Sequence, residues 1–251
     1  MLIVFKRSHV MRTHIYIGIV LMLFILGNTG YTQDQGKDDS LDAAINSFLQ
    51  AVEKNPHHAD AHYNLGILYS EKGMREEAVA EYKKTLELEP NYVKAHNNLG
   101  VIYYETDRFD EAIECFKKSL AASPEYLEAQ YNLGIAYYGK KQYADAVAAF
   151  KKAVEINPKF EKGYYNLGVT YATMDSPDDS LAAFKKTVSI NPQFSDAYYN
   201  MGVIYTKKNQ LDEAIKSLQK ALELNPNDDK SHFALGVIYQ VKRKTKLSGG
   251  R

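Results

Sequence analysis

The chain has 251 residues, 45% of them apolar, with 31 basic and 31 acidic side chains, enough to fill one or two globular domains. The balance of charge is local: Lys6, Arg7, Arg12, Lys242, Arg243, Lys244, Lys246 and Arg251 sit at the two ends, leaving 23 basic against 31 acidic residues between them. An acidic middle argues against nucleic acid as the main ligand, and a single cysteine, Cys115, excludes an internal disulfide.

In chain order the first feature is an apolar run, Ile15 to Gly27, behind a basic segment and ahead of Asn28-Thr29-Gly30. As a helix this run spans only ~20 Å, short of the ~30 Å hydrocarbon core of a membrane. Residues 1–30 are therefore expected to be a signal peptide, with a short N-terminal membrane anchor as the alternative. Both readings export the repeats to the periplasm or another extracytoplasmic space, because positive charge precedes the run and Asp34, Asp38 and Asp39 lie beyond it. Residues 31–38 are polar, contain Gly36, and are expected to form a linker.

Asp39 or Ser40 is expected to cap a helix carrying Leu41, Ala44, Ile45, Phe48, Ala51 and Val52 and ended by Pro56. From Ala59 the chain repeats. Gly66, Gly100, Gly134, Gly168, Gly202 and Gly236 are 34 residues apart, and each is followed three residues later by a tyrosine. His62, Leu65, Gly66 and Tyr69 form one stripe at helical period. A second helix comes next, with Ala78, Tyr82 and Leu86 facing that stripe and Pro90 stopping it. Complete repeats are expected at residues 59–92, 93–126, 127–160, 161–194 and 195–228, a half-repeat of the second kind at 39–58, a sixth first helix at 229–241 and a basic tail at 242–251. In the fourth repeat Ser180 replaces the small alanine, predicting a looser joint, while Ser176-Pro177-Asp178-Asp179 predicts a side-chain N-cap.

This period and its Leu-Gly-x-x-Tyr, Ala-x-x-x-aromatic, Pro layout resemble the tetratricopeptide repeat, a helix-turn-helix unit. The resemblance implies an all-α, right-handed superhelical solenoid whose first helices line an inner groove, and a protein or peptide as partner. One hairpin cannot bury its face alone, so stacked neighbours supply the core. The two unmatched half-repeats fit either a truncated reading frame or head-to-tail self-association.

No G-x-G-x-x-G, Walker loop, H-E-x-x-H or C-x-x-C occurs, so no enzyme activity, cofactor or metal is expected. His62, His96 and His232 share one repeat position, but neighbouring repeats stand about 8–10 Å apart, too far to share a zinc. They are expected to pack, as is Cys115. Lysine pairs such as Lys117-Lys118 recur on the second helices and are expected to form a solvated face.

The informative surface lies opposite the packed stripe of the first helices. One row is Asn64, Asn98, Asn132, Asn166 and Asn200; beside it run Ile67, Val101, Ile135, Val169, Val203 and Val237, and Tyr63, Asn97, Tyr131, Tyr165, Tyr199 and Phe233. An amide ladder can hold the backbone of an extended peptide without reading its side chains. Packing between neighbouring first helices is the competing role, preferred for the apolar row. Groove lysine and arginine at the positions that chaperone-binding relatives use for a carboxylate are absent. The ladder is instead similar to the repeat region of protein O-GlcNAc transferases. The expected function is a non-enzymatic, exported scaffold that binds an extended peptide; the alternative is a truncated substrate-binding arm of a glycosyltransferase.

Overall fold

The computed structural model describes residues 32–248, with side-chain environments for 39–243; the apolar run at 15–27 lies outside them. No helix among the described residues is long and apolar enough to cross a membrane. The described residues form twelve α-helices and no strand: α1 Thr32–Lys54, α2 Ala59–Lys72, α3 Arg75–Leu88, α4 Val93–Glu105, α5 Phe109–Ala122, α6 Leu127–Gly139, α7 Tyr143–Ile156, α8 Glu161–Thr173, α9 Pro177–Ile190, α10 Ser195–Lys207, α11 Leu211–Leu224 and α12 Asp229–Ser248. They fall into two compact units, residues 1–136 and 137–251. In the first, α1 packs on α2, α2 pairs with α3, α3 packs on α4, and α4 pairs with α5. The second has the same alternation, from α7 on α8 to α11 on α12.

The glycine in each first helix explains the pairing. A β-carbon on Gly66 would lie 2.5 Å from the ring of Tyr82; at Gly100 it would lie 2.7 Å from Phe116, and at Gly168 2.6 Å from Phe184. These rings are fully buried knobs, and only a residue without a side chain leaves the hole they enter. Gly202 plays the same part against Leu218. The fourth joint is as tight as the others: buried Ser180 donates its hydroxyl to the Gly168 carbonyl at 2.8 Å, which satisfies the polar atom that replaces alanine's methyl.

Between first and second helices the chain turns through one left-handed residue, Gly73, Asp107, Lys141, Asp175 or Asn209. The next residue's N–H then reaches back to the carbonyl of the repeat tyrosine, as from Met74 to Tyr69 at 2.8 Å and from Gln142 to Tyr137 at 2.9 Å. That bond satisfies a carbonyl left unpaired by the end of the helix.

Three local expectations change. Helix α1 begins at Thr32, so the residues expected as a linker are helical; Gln, Asp and Lys there are tolerated by a helix, and Gly36 alone costs too little to stop one. Helix α12 likewise continues through the expected tail to Ser248, where Lys242 pairs with Asp212 at 2.5 Å. Ser176 makes no side-chain cap; Pro177 in the first turn, with its φ already helical, starts α9 instead.

The glycines differ in one testable way. Gly100→Ala is expected to lower stability by about 1–3 kcal/mol through overpacking against Phe116. A β-carbon on Gly236 meets nothing within 4 Å, so Gly236→Ala is expected to be neutral or to stabilise by up to about 1 kcal/mol. Urea unfolding followed by circular dichroism compares them; equal losses would refute this account of the joint.

Candidate functional site

In the first unit the asparagine, β-branched and tyrosine rows lie on α2, α4 and the start of α6. Tyr63, Asn64, Ile67, Asn98, Val101 and Asn132 are half-buried. The asparagines are tied into the fold. Asn98 Nδ2 donates to the Tyr63 hydroxyl at 3.3 Å and to the Tyr82 hydroxyl at 3.4 Å, while its Oδ1 accepts from Asn97 Nδ2 at 3.2 Å. Asn132 Nδ2 donates to Asn97 Oδ1 at 3.0 Å. Both amide hydrogens of Asn98 are thus committed, whereas Asn132 donates one.

The tyrosine row is also structural. Tyr63 packs on Tyr92, with ring centroids 4.9 Å apart, and the Tyr92 hydroxyl donates to Asp60 at 2.7 Å. Burial pushes the Tyr63 hydroxyl above its usual pKa, and Tyr92 is raised by burial and by the carboxylate of Asp60. An aromatic residue stands just before four of the six first helices, Tyr92, Tyr126, Phe160 and Phe194; the rows drawn from the sequence leave it out, and its 34-residue spacing is the signal that could have found it.

The second unit repeats the scheme on α8, α10 and α12. Asn200 Nδ2 donates to the Tyr165 hydroxyl at 3.2 Å, and Tyr165 stacks on Phe194 at 4.8 Å. Tyr199, Val169 and Val203 are half-buried, and Val237 and Phe233 are exposed. Asp196, beside this face, has its carboxyl pKa raised by burial, with the charge of Asp228 adding to the effect.

Three expected contact residues are not accessible. Asn166 is 2% exposed, Ile135 3% and Tyr131 5%, so they belong to the core.

His62 and His96 are buried, as expected, whereas His232 is exposed, because the stripe of α12 on which it stands is uncovered among the described residues; all three do more than pack. His62, His96 and His232 each place Nε2 against a proline carbonyl in the preceding turn, at 3.2, 2.8 and 2.8 Å from Pro56, Pro90 and Pro226 respectively. His62 also holds Glu81 through Nδ1 at 2.6 Å. The matching Nδ1 of His96 is buried without a partner, and burial lowers this imidazole below its ordinary pKa of 6.5. No group of three potential metal-binding side chains occurs among the described residues. Cys115 is buried and its thiol is pushed up to about 11, so it is a packed small residue. The lysine pairs are exposed; Lys118 meets Glu114 at 2.8 Å, and Lys84 meets Glu87 at 3.0 Å.

Stacked helical hairpins with regular side-chain rows, the first helices of Gly66, Gly100, Gly168 and Gly202 each held on that glycine, define a helical-repeat protein-interaction fold. Residues 91–159, 161–194 and 195–228 match the tetratricopeptide repeat, and residues 38–73 and 69–107 match the TPR repeat. The chain is 34% identical to MamA, covering 66% of this chain and 97% of that one, with a TM-score of 0.63. It is 29% identical to YrrB, described as a TPR protein with an unusual peptide-binding site, over 74% of this chain and 96% of that one at a TM-score of 0.65. PilW, described as a type IV pilus biogenesis factor, is 20% identical over 81% and 94%, and at a TM-score of 0.68 shares the fold. No curated protein matches. The chain belongs to the tetratricopeptide repeat family.

The bonds of Asn98 predict a cost for removing it. Asn98→Ala is expected to destabilise the chain by about 1–2 kcal/mol, because it strips a donor from the buried Tyr82 hydroxyl. Thermal unfolding measures this; an unchanged melting curve would show that the amide has no structural share.

Proposed function

We propose that the chain is an exported scaffold that holds an extended, apolar segment of another protein against its first helices. The observation that carries this reading is the half-burial of Ile67 and Val101 in one unit and of Val169 and Val203 in the other. A β-branched side chain on an outer helix face gains by losing its remaining contact with water, at roughly 25 cal/mol per Å². Asn64, Asn132 and Asn200 stand beside these side chains, and the amides of Asn132 and Asn200 each use one of their two hydrogens within the fold. A peptide backbone can take the others. Tyr199 and Tyr165 edge the same face in the second unit. The peptide-binding site named for YrrB supports this class of ligand. Asn98, with its donors committed, contributes only a carbonyl lone pair. This weakens the alternative of a glycosyltransferase arm that grips its substrate through an unbroken amide ladder.

Selection of random peptides by display on the full chain tests the reading. Apolar, extended sequences are expected to be enriched, and Val101→Thr with Val169→Thr, which preserve shape and add a hydroxyl, are expected to weaken each selected peptide about tenfold. Binding untouched by both changes would move the site off this face.

Export rests on the basic segment and apolar run ahead of the repeats. Protease added to intact cells is expected to digest the repeats only after the outer barrier is opened, or directly at the surface. Protection until the cytoplasm is lysed would overturn export. The same proposal includes association of copies through their unmatched end helices.

A further inference from the structure

Among the described residues, two helices each have only one of the two neighbours that their sequence is built for. Helix α1 has the layout of a second helix: Ala44, Phe48 and Ala51 stand 34 residues before Ala78, Tyr82 and Thr85. Those three are fully buried against the glycine stripe of α2, as are their counterparts in the later repeats. In α1 the same positions are only half-buried. Its other face is used normally, with Ile45, Leu41 and Val52 packed on Leu65 and Leu68 of α2; Ala44 and Phe48 reach the same cluster from its edge and keep the rest of their surface uncovered. Helix α1 is a knob without a hole.

Helix α12 is the reverse. Leu235 and Ile238 are buried against α11, but nothing among the described residues covers the opposite stripe. Gly236 is exposed where Gly66, Gly100, Gly168 and Gly202 are buried, and Tyr239 is 50% exposed where its counterpart Tyr103 is 6%. A β-carbon on Gly236 would have nothing within 4 Å. That is a hole without a knob.

The helix ends agree with the faces. The two unmatched helices run for 23 and 20 residues, where the paired ones run for 13 or 14. The excess of α1 is at its N-terminus and that of α12 at its C-terminus, the two ends that meet when a first helix turns back into a second. The N-terminal excess carries Asp34, Asp38 and Asp39 against Lys37, and the C-terminal one carries Arg243, Lys244 and Lys246. By sequence the two added lengths are thus opposite in net charge.

We propose that α12 of one molecule and α1 of a second copy form a complete repeat, with Phe48 of the second copy entering the hole at Gly236 of the first. This gives end-to-end association its residues, and it does not depend on a peptide occupying the first-helix face. The contact is heterologous, since each copy uses a different end, so copies add one after another.

The test is sedimentation velocity on the full chain in nonionic detergent, over about a hundredfold range of concentration. The parent is expected to grow with concentration. Gly236→Leu fills the hole, and its β-carbon meets nothing of its own chain within 4 Å, so it is expected to melt no lower than the parent and to associate at least about 30-fold more weakly. Phe48→Ala is expected to weaken association similarly from the other side. Each variant keeps one sound end, so an equal mixture of the two is expected to form dimers that grow no further. A parent that stays monomeric throughout, a Gly236→Leu chain that associates like the parent, or a mixture that forms no dimer would each overturn the proposal. Val101→Thr with Val169→Thr is expected to leave association unchanged, which separates its failure from that of the peptide-binding reading.

Discussion

The structure depends on the contact between a glycine and a ring. In most helix pairs the side chains at the crossing hold the axes 8–10 Å apart. Here the ring of the second helix lies where the first helix's β-carbon would be, so the backbone of one helix is itself the packing surface for the other. This fixes which stripe of the first helix faces inward and, by elimination, which rows it presents outward. A side chain at the glycine would displace the ring, and with it the partner helix and every position that helix sets.

Polar side chains then join one repeat to the next. Asn98 reaches the tyrosine hydroxyl of the repeat before it, and that tyrosine, Tyr63, lies on the ring of Tyr92, which closes its own repeat by reaching back to Asp60. The histidines hold the proline carbonyls of the turns between repeats. Such bonds are worth about 1 kcal/mol each, and they specify alignment where apolar contacts alone would tolerate sliding. Architecture thus uses part of the hydrogen-bonding capacity of the outer face. A ligand meets what remains.

The fold was legible because it rests on residues with one physical role at one spacing: glycine where backbones touch, proline where a helix must stop, alanine opposite the glycine. The candidate site was legible as rows but not as availability. Nothing in the letters Asn98 and Asn166 separates a half-buried amide bonded to two hydroxyls from a buried one, because that depends on how closely neighbouring first helices approach. The left-handed turn was hidden because Gly73 is followed in later repeats by Asp107, Lys141, Asp175 and Asn209, which share a backbone angle and little chemistry. Helix lengths at α1 and α12 were misjudged for a related reason: polar, charged stretches read as loops, yet a helix already started tolerates them.

The contacts within each unit join helices that are neighbours along the chain, or first helices of successive repeats. Loops between contacting parts are therefore short, and the entropy lost in closing them is small, so a unit of this kind can begin to fold at any hairpin. The same locality makes the 34-residue repeat the natural step of evolutionary change. Removing or duplicating one whole repeat inside a unit brings an equivalent helix to each broken contact and leaves the remaining glycines opposite their rings. Copy number is free to drift in a way that the length of a closed globular core is not.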